Sequence, residues 1–204
     1  MSTQPEGIWA PYEAFYIEAM LSNTGSAMAS LERVSDVIEE VEHDRCGGTL
    51  DRIDPHALIA ELQNIVLQAA ALSRYLWPVR PGHEARAAHL RAALDVAESS
   101  PLRDRGLRNE IEHFDEKLDA YLAEGIAGYI VPAYVGPLPA NDGVPTHMFK
   151  AYYSDAGLFE MLGQRYSIQP IAAEIQRLHE LLLCFRPTGR LRTRFDNRHV
   201  DVRM

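Results

Sequence analysis

The feature that most constrains this fold is an apolar residue recurring with the 3.6-residue period of an α-helix. The pattern is clearest after Asp54-Pro55, where one helical face carries Leu58, Leu62, Ile65, Ala69, Leu72 and Leu76. Asp54-Pro55 begins this helix, because aspartate accepts hydrogen bonds from free backbone N–H groups and proline fits the first turn. The same period predicts four further helices, over residues 13–44, 83–98, 101–124 and 170–185. Four consecutive helices joined by short connections favour an antiparallel four-helix bundle.

The pattern changes at Gly125, after which glycine and proline become frequent up to residue 145. Short strands are predicted over residues 129–131, 133–135, 148–153 and 158–162. Ser154-Asp155-Ala156-Gly157 separates the last two strands, as the turn of a β-hairpin would. The predicted fold is mainly α. Residues 1–125 form the helical bundle, and residues 126–204 form a β-hairpin appendage, a C-terminal helix and a basic tail, all packed on the same domain.

Composition restricts the class of protein. The chain has 204 residues, 47% of them hydrophobic, which is enough to bury a core. A net charge of −9 argues against a general nucleic-acid coat, which needs a basic surface, although a small basic cleft is compatible with it. Two distant cysteines, Cys46 and Cys184, have no metal-ligand spacing and favour a reduced, intracellular protein.

The first residues show no basic segment followed by an apolar run, so no signal peptide is expected. No stretch approaches the roughly 18 apolar residues that a membrane-spanning helix needs. The expectation is a cytoplasmic protein without a membrane partner.

The candidate functional motif lies in the helix predicted over residues 101–124. It reads Arg108-Asn109-Glu110-Ile111-Glu112-His113 and resembles the arginine–polar–x3–histidine motif of the HEPN superfamily (higher eukaryotes and prokaryotes nucleotide-binding). The surrounding sequence, including LSRYLWP, LRAALDV and SPLRDRGLRNEIEHFDEKLDAYL, is similar to an uncharacterised bacterial branch of that family over residues 10–125.

The resemblance implies a helical bundle that works as a homodimer, with the motifs of two chains meeting in one cleft. Many family members are metal-independent endoribonucleases of defence or toxin–antitoxin systems, so RNA and an antitoxin protein are the expected partners. No cofactor and no metal are expected.

The chemistry fits these residue types. His113 would act as general base or acid, because an imidazole titrates near neutral pH. Arg108 would stabilise the charged phosphorane, because a guanidinium can hold two oxygens at once. Asn109 would orient the phosphate or the imidazole.

Four carboxylates depart from what a phosphate site prefers: Glu110, Glu112, Asp115 and Glu116. They would repel an RNA backbone, which keeps open the alternative of a binding-only or non-catalytic regulatory or scaffold protein.

A second alternative is a di-metal carboxylate bundle. Glu40–His43 and Glu110–His113 are both Glu-x-x-His pairs, and Glu61 could supply a carboxylate from another helix.

Overall fold

The computed structural model describes residues 7–43, 53–140 and 143–191. Cys46 and the arginine-rich tail from residue 192 onward lie outside the described residues. Within these ranges the chain is helix-rich and also contains two small β-sheets.

Six α-helices lie in the described part of the chain. They are α1 (Glu13–His43), α2 (Pro55–Leu76), α3 (Glu84–Ala93), α4 (Gly106–Glu112), α5 (Phe114–Ala123) and α6 (Gln169–Phe185). Short 3₁₀ turns at Ala10–Tyr12 and Pro101–Arg103 precede α1 and α4. All six apolar residues that predicted α2 are buried, so this helix and its buried face are confirmed.

Six short strands follow α5 in the described residues. They are β1 (Tyr129–Val131), β2 (Tyr134–Gly136), β3 (Thr146–Met148), β4 (Lys150–Tyr153), β5 (Leu158–Met161) and β6 (Gln164–Ser167). β1 pairs with β3 in a parallel two-stranded sheet. The other sheet has the order β2-β4-β5-β6, with a parallel β2–β4 pair and antiparallel β4–β5 and β5–β6 pairs. The hairpin around residues 154–157 is confirmed, whereas both parallel pairs and β6 were not predicted.

The chain divides into two compact units, neither of them continuous in sequence. Unit 1 comprises Met1–Ala27, Gln68–Asp104 and Ala173–Met204, and unit 2 comprises Met28–Leu67 and Arg105–Ala172. The core of unit 1 is aliphatic, with fully buried Met20, Leu72, Leu90 and Ile175. The division predicted at residue 125 stays a prediction.

The larger sheet of unit 2 carries a cluster of buried side chains on one of its faces. Ala151 and Tyr153 of β4 are fully buried with Met148, and Val131, Tyr134 and Leu158 pack around them as half-buried residues. β4 and β5 each bury three consecutive residues, and since consecutive side chains point to opposite faces, both faces of these inner strands are covered.

The fold prediction needs two corrections. The helix expected over residues 101–124 is divided into a 3₁₀ turn, α4 and α5, with His113 between α4 and α5 at φ −115° and ψ 34°. A sequence period cannot reveal one residue that leaves helical backbone angles while the apolar spacing continues. The second correction is that the chain is mixed, helix-rich α/β rather than a simple four-helix bundle, because the sheets are more extensive than a single hairpin.

Across the described residues, no helix is both long enough and apolar enough to cross a membrane.

Candidate functional site

The motif segment belongs to unit 2 and spans α4 and the start of α5. Leu107 is buried and fixes the first turn of α4, while the next residue, Arg108, is half-buried. Asn109 and His113 are exposed. The backbone stays hydrogen-bonded across the break, because the N–H of His113 donates to the carbonyl of Asn109 over 3.0 Å.

Arg108 is engaged within its own helix. Its Nε donates to Oε2 of Glu112 over 2.8 Å, and Nη2 lies 2.6 Å from the same oxygen. The two residues are four positions apart, which places them together on one helical face. The positive charge of Arg108 is therefore neutralised by Glu112, one of the four carboxylates expected to repel an RNA backbone.

His113 takes no part in this ion pair. Its side chain is 56% exposed, and its nearest charged partner is Glu116, with Nδ1 and Oε1 3.9 Å apart. In the described residues, no hydrogen bond or ion pair joins the side chains of Arg108, Asn109 and His113. One chain thus presents an accessible imidazole and a neutralised guanidinium without bringing them together.

Lys150 lies beside the motif and was not predicted from the sequence. It begins β4, and its ammonium nitrogen is 4.5 Å from the centre of the Phe114 ring, the residue directly after His113. A cation in this position is attracted by the negative face of the ring. Burial lowers the pKa of Lys150. Sequence alone gave no signal for this contact, because the two residues are 36 positions apart on different elements.

A tyrosine–histidine pair lies further along α5. The Nε2 of His147 is 3.1 Å from the carbonyl oxygen of Ala127, and its Nδ1 is 2.6 Å from the hydroxyl of Tyr121. A carbonyl only accepts, so Nε2 carries a proton and donates it to Ala127. Burial raises the pKa of Tyr121, and the charges of Glu160 and Glu124 raise it further. This pair links β3 to α5, and His147 therefore has a structural role.

Glu61 is bound by Arg33 and Ser30 and is not placed as a metal ligand. Its carboxylate accepts Nε and Nη2 of Arg33 over 2.6 and 2.7 Å, and the hydroxyl of Ser30 over 2.6 Å. The hydrogen bond from Arg33, followed by that from Ser30, lowers the pKa of Glu61. These contacts join α1 to α2 within unit 2.

Glu40 and His43, the first Glu-x-x-His pair, lie at the end of α1. Glu40 is exposed, and Nδ1 of His43 hydrogen-bonds to the carbonyl of Glu39 over 2.7 Å. Among the residues that the structure describes, no group of three histidine, cysteine or carboxylate side chains is placed to hold a metal ion.

Buried charge in the larger sheet is fully compensated. Glu160 on β5 is only 6% exposed, and its Oε2 accepts the hydroxyl of Tyr153 over 3.0 Å and Nε of Arg165 over 2.7 Å. Glu160 and Arg165 are cross-strand partners. This arrangement has the satisfied hydrogen bonds of a structural network.

Comparison with known protein families, curated proteins and solved structures finds no significant match to this chain.

Proposed function

We propose that this protein is a metal-independent endoribonuclease of the HEPN type, or an RNA-binding relative, that acts as a homodimer in a defence or toxin–antitoxin system. We also propose that the fold is a HEPN-like helical bundle to which the two sheets are added. The observation that carries it is the Arg108-Asn109-x3-His113 motif, whose imidazole is exposed at the break between α4 and α5. An antitoxin protein is the expected regulatory partner.

The reaction is a transesterification within RNA. His113 accepts the proton of a ribose 2′-hydroxyl, whose oxygen attacks the adjacent phosphorus. Arg108 stabilises the charge of the phosphorane, and the bond to the 5′-oxygen then breaks as that oxygen takes up the proton that the His113 imidazolium gives back. The products are a 2′,3′-cyclic phosphate and a 5′-hydroxyl. The substrate supplies the nucleophile, so this chemistry requires no metal.

Two copies of the chain are needed to complete the site. In one chain, Arg108 is bound to Glu112 while His113 faces solvent. A dimer that brings two motif faces together would supply a second imidazole and a second guanidinium to one phosphate. The incoming phosphate would replace Glu112 as the partner of Arg108, an exchange of one anion for another.

Single alanine substitutions test the proposal. We expect Arg108→Ala and His113→Ala each to lower RNA cleavage by at least about 100-fold, the usual contribution of such groups, while the fold stays intact. Cleavage is measured on single-stranded RNA in the presence of EDTA, and folding by circular dichroism. Arg80→Ala and His56→Ala are matched controls, because both residues are exposed and lie outside the motif. Wild-type protein that leaves RNA intact, or motif variants as active as the controls, would refute the mechanism.

A non-catalytic regulatory or scaffold protein is the second candidate. The observation favouring it is the Arg108–Glu112 ion pair, with Asp115 and Glu116 exposed nearby. In that case Arg108 only stabilises α4, by about 0.3–0.5 kcal/mol as such helical pairs do. The same experiment separates the candidates, since a scaffold would show a small stability change and no RNA cleavage in any variant.

A further inference from the structure

Lys150 is a half-buried cation beside the motif, in unit 2. Its ammonium group contacts the face of the Phe114 ring, and in the described part of the chain no carboxylate lies within ion-pair distance of it. Charged groups that lose water contacts in a protein are normally paired with an opposite charge. The Phe114 ring compensates only part of this cost, so the ammonium retains donors for an anion.

Arg108 and Lys150 differ in how readily each could bind an anion. Arg108 has a carboxylate partner at 2.6 Å, and an anion can bind it only by replacing that partner. Lys150 needs no such exchange. Phe114, which the ammonium contacts, is the first residue of α5 and directly follows His113, so Lys150 packs against the start of α5, next to the α4–α5 break.

We propose that Lys150 is a phosphate-binding residue of the motif site, holding a backbone phosphate of the RNA strand whose reacting nucleotide lies at His113. This inference rests on the proposed ribonuclease function. Lys150 is a positioning residue in this assignment, since it fixes the strand and touches no reacting atom.

Lysine acetylation provides a direct test, because the chain contains two lysines, Lys150 and Lys117. Lys117 is exposed on α5 and serves as the internal control. The full chain is acetylated with a water-soluble ester, alone or with pyrophosphate or a single-stranded RNA oligonucleotide, and each lysine is followed by mass spectrometry. We expect both anions to slow the acetylation of Lys150 several-fold and to leave that of Lys117 unchanged.

Salt-dependent RNA binding provides the second measurement. Lys150→Met keeps a long apolar side chain against Phe114 but removes the charge, and Lys150→Arg restores the charge. We expect Lys150→Met to weaken RNA binding about tenfold at low salt, as the loss of one charge-assisted contact should. The slope of log affinity against log salt should become shallower by roughly 0.7. Lys150→Arg should recover most of the binding, and Lys117→Met should resemble wild type.

The outcomes separate this inference from the proposed function. Protection by pyrophosphate in a protein that neither binds nor cleaves RNA would keep the phosphate site and overturn its RNA ligand together with the ribonuclease proposal. RNA cleavage with unprotected Lys150 and normal binding by Lys150→Met would overturn the role of Lys150 alone. Absence of protection by either anion would overturn it whatever the protein does to RNA.

Discussion

Tyr153 is the residue whose ionisation the fold changes most clearly. It is 2% exposed, and its hydroxyl donates to Glu160 on the neighbouring strand. Burial, then the negative charge of Glu160 and the hydrogen bond to it, raise the pKa of Tyr153 to about 12. The protonated phenol is therefore part of the folded sheet, as a donor to a buried carboxylate.

Replacing Tyr153 by phenylalanine should lower stability at neutral pH by about 1.5–3 kcal/mol, the net value of a hydrogen bond to a charged acceptor. The pH dependence has a definite sign. An unfolded tyrosine ionises near pH 10, whereas the folded protein keeps this proton until about pH 12, so wild-type stability falls as pH rises through that window.

The free energy of unfolding, measured in urea from pH 7 to 11.5, should decrease less at alkaline pH in Tyr153→Phe than in the wild type. Tyr129→Phe, at an exposed position, is the control. Identical alkaline slopes in wild type and Tyr153→Phe would contradict this assignment.

Single residues also show where sequence reasoning reaches its limit at the site. Arg108, Asn109 and His113 could be selected as candidates because they lie close together in one motif. For Arg108, the sequence allows Glu112 or Asp115 as the carboxylate partner, and the structure selects Glu112. The position of Lys150 on Phe114 could not be chosen from the sequence, because this contact depends on how β4 meets α5.

At the level of elements, the local period predicted the helices well and the sheets only in part. The starts of α1 and α2 and the β4–β5 hairpin follow from caps, turn residues and spacing within a few positions. The parallel β1–β3 and β2–β4 pairs bring together strands separated by longer connections, and no short-range signal marks them. The break at His113 also depends on local backbone angles that the side-chain pattern does not encode.

Gly128, just before β1, is an element-level requirement that can be tested. Its φ is +118°, and a Cβ there would lie 2.0 Å from the carbonyl oxygen of Pro145, which accepts the N–H of Tyr129. Gly128→Ala should therefore lower the free energy of unfolding by more than about 1 kcal/mol. Gly25→Ala is the matched control, because Gly25 lies inside α1 with open space around the added carbon. That substitution should raise stability by about 0.5–1 kcal/mol. Equal effects of the two substitutions in urea unfolding would contradict the close approach at Gly128.

At the level of the whole molecule, the proposed site belongs to a pair of chains. Arg108→Ala and His113→Ala chains should each be inactive as homodimers. Mixing them after partial unfolding and joint refolding should restore RNA cleavage, because a mixed dimer retains one guanidinium and one imidazole in the shared cleft. Each variant refolded alone is the control, and sedimentation equilibrium reports the oligomeric state. A strictly monomeric protein, or mixtures that stay inactive although mixed dimers form, would contradict a site built from two chains.

The sequence by itself determined the positions of most helices, the hairpin, and the motif that suggests RNA chemistry. Each of these depends on residues a few positions apart, where helical spacing, capping and turn preference act directly. The tertiary structure decided the two parallel strand pairs, the engagement of Glu61 by Arg33, the Tyr121–His147 pair and the contact of Lys150 with Phe114. These depend on which distant segments pack together, and that choice is made by the combined burial and hydrogen bonding of a whole unit, which no short stretch of sequence contains.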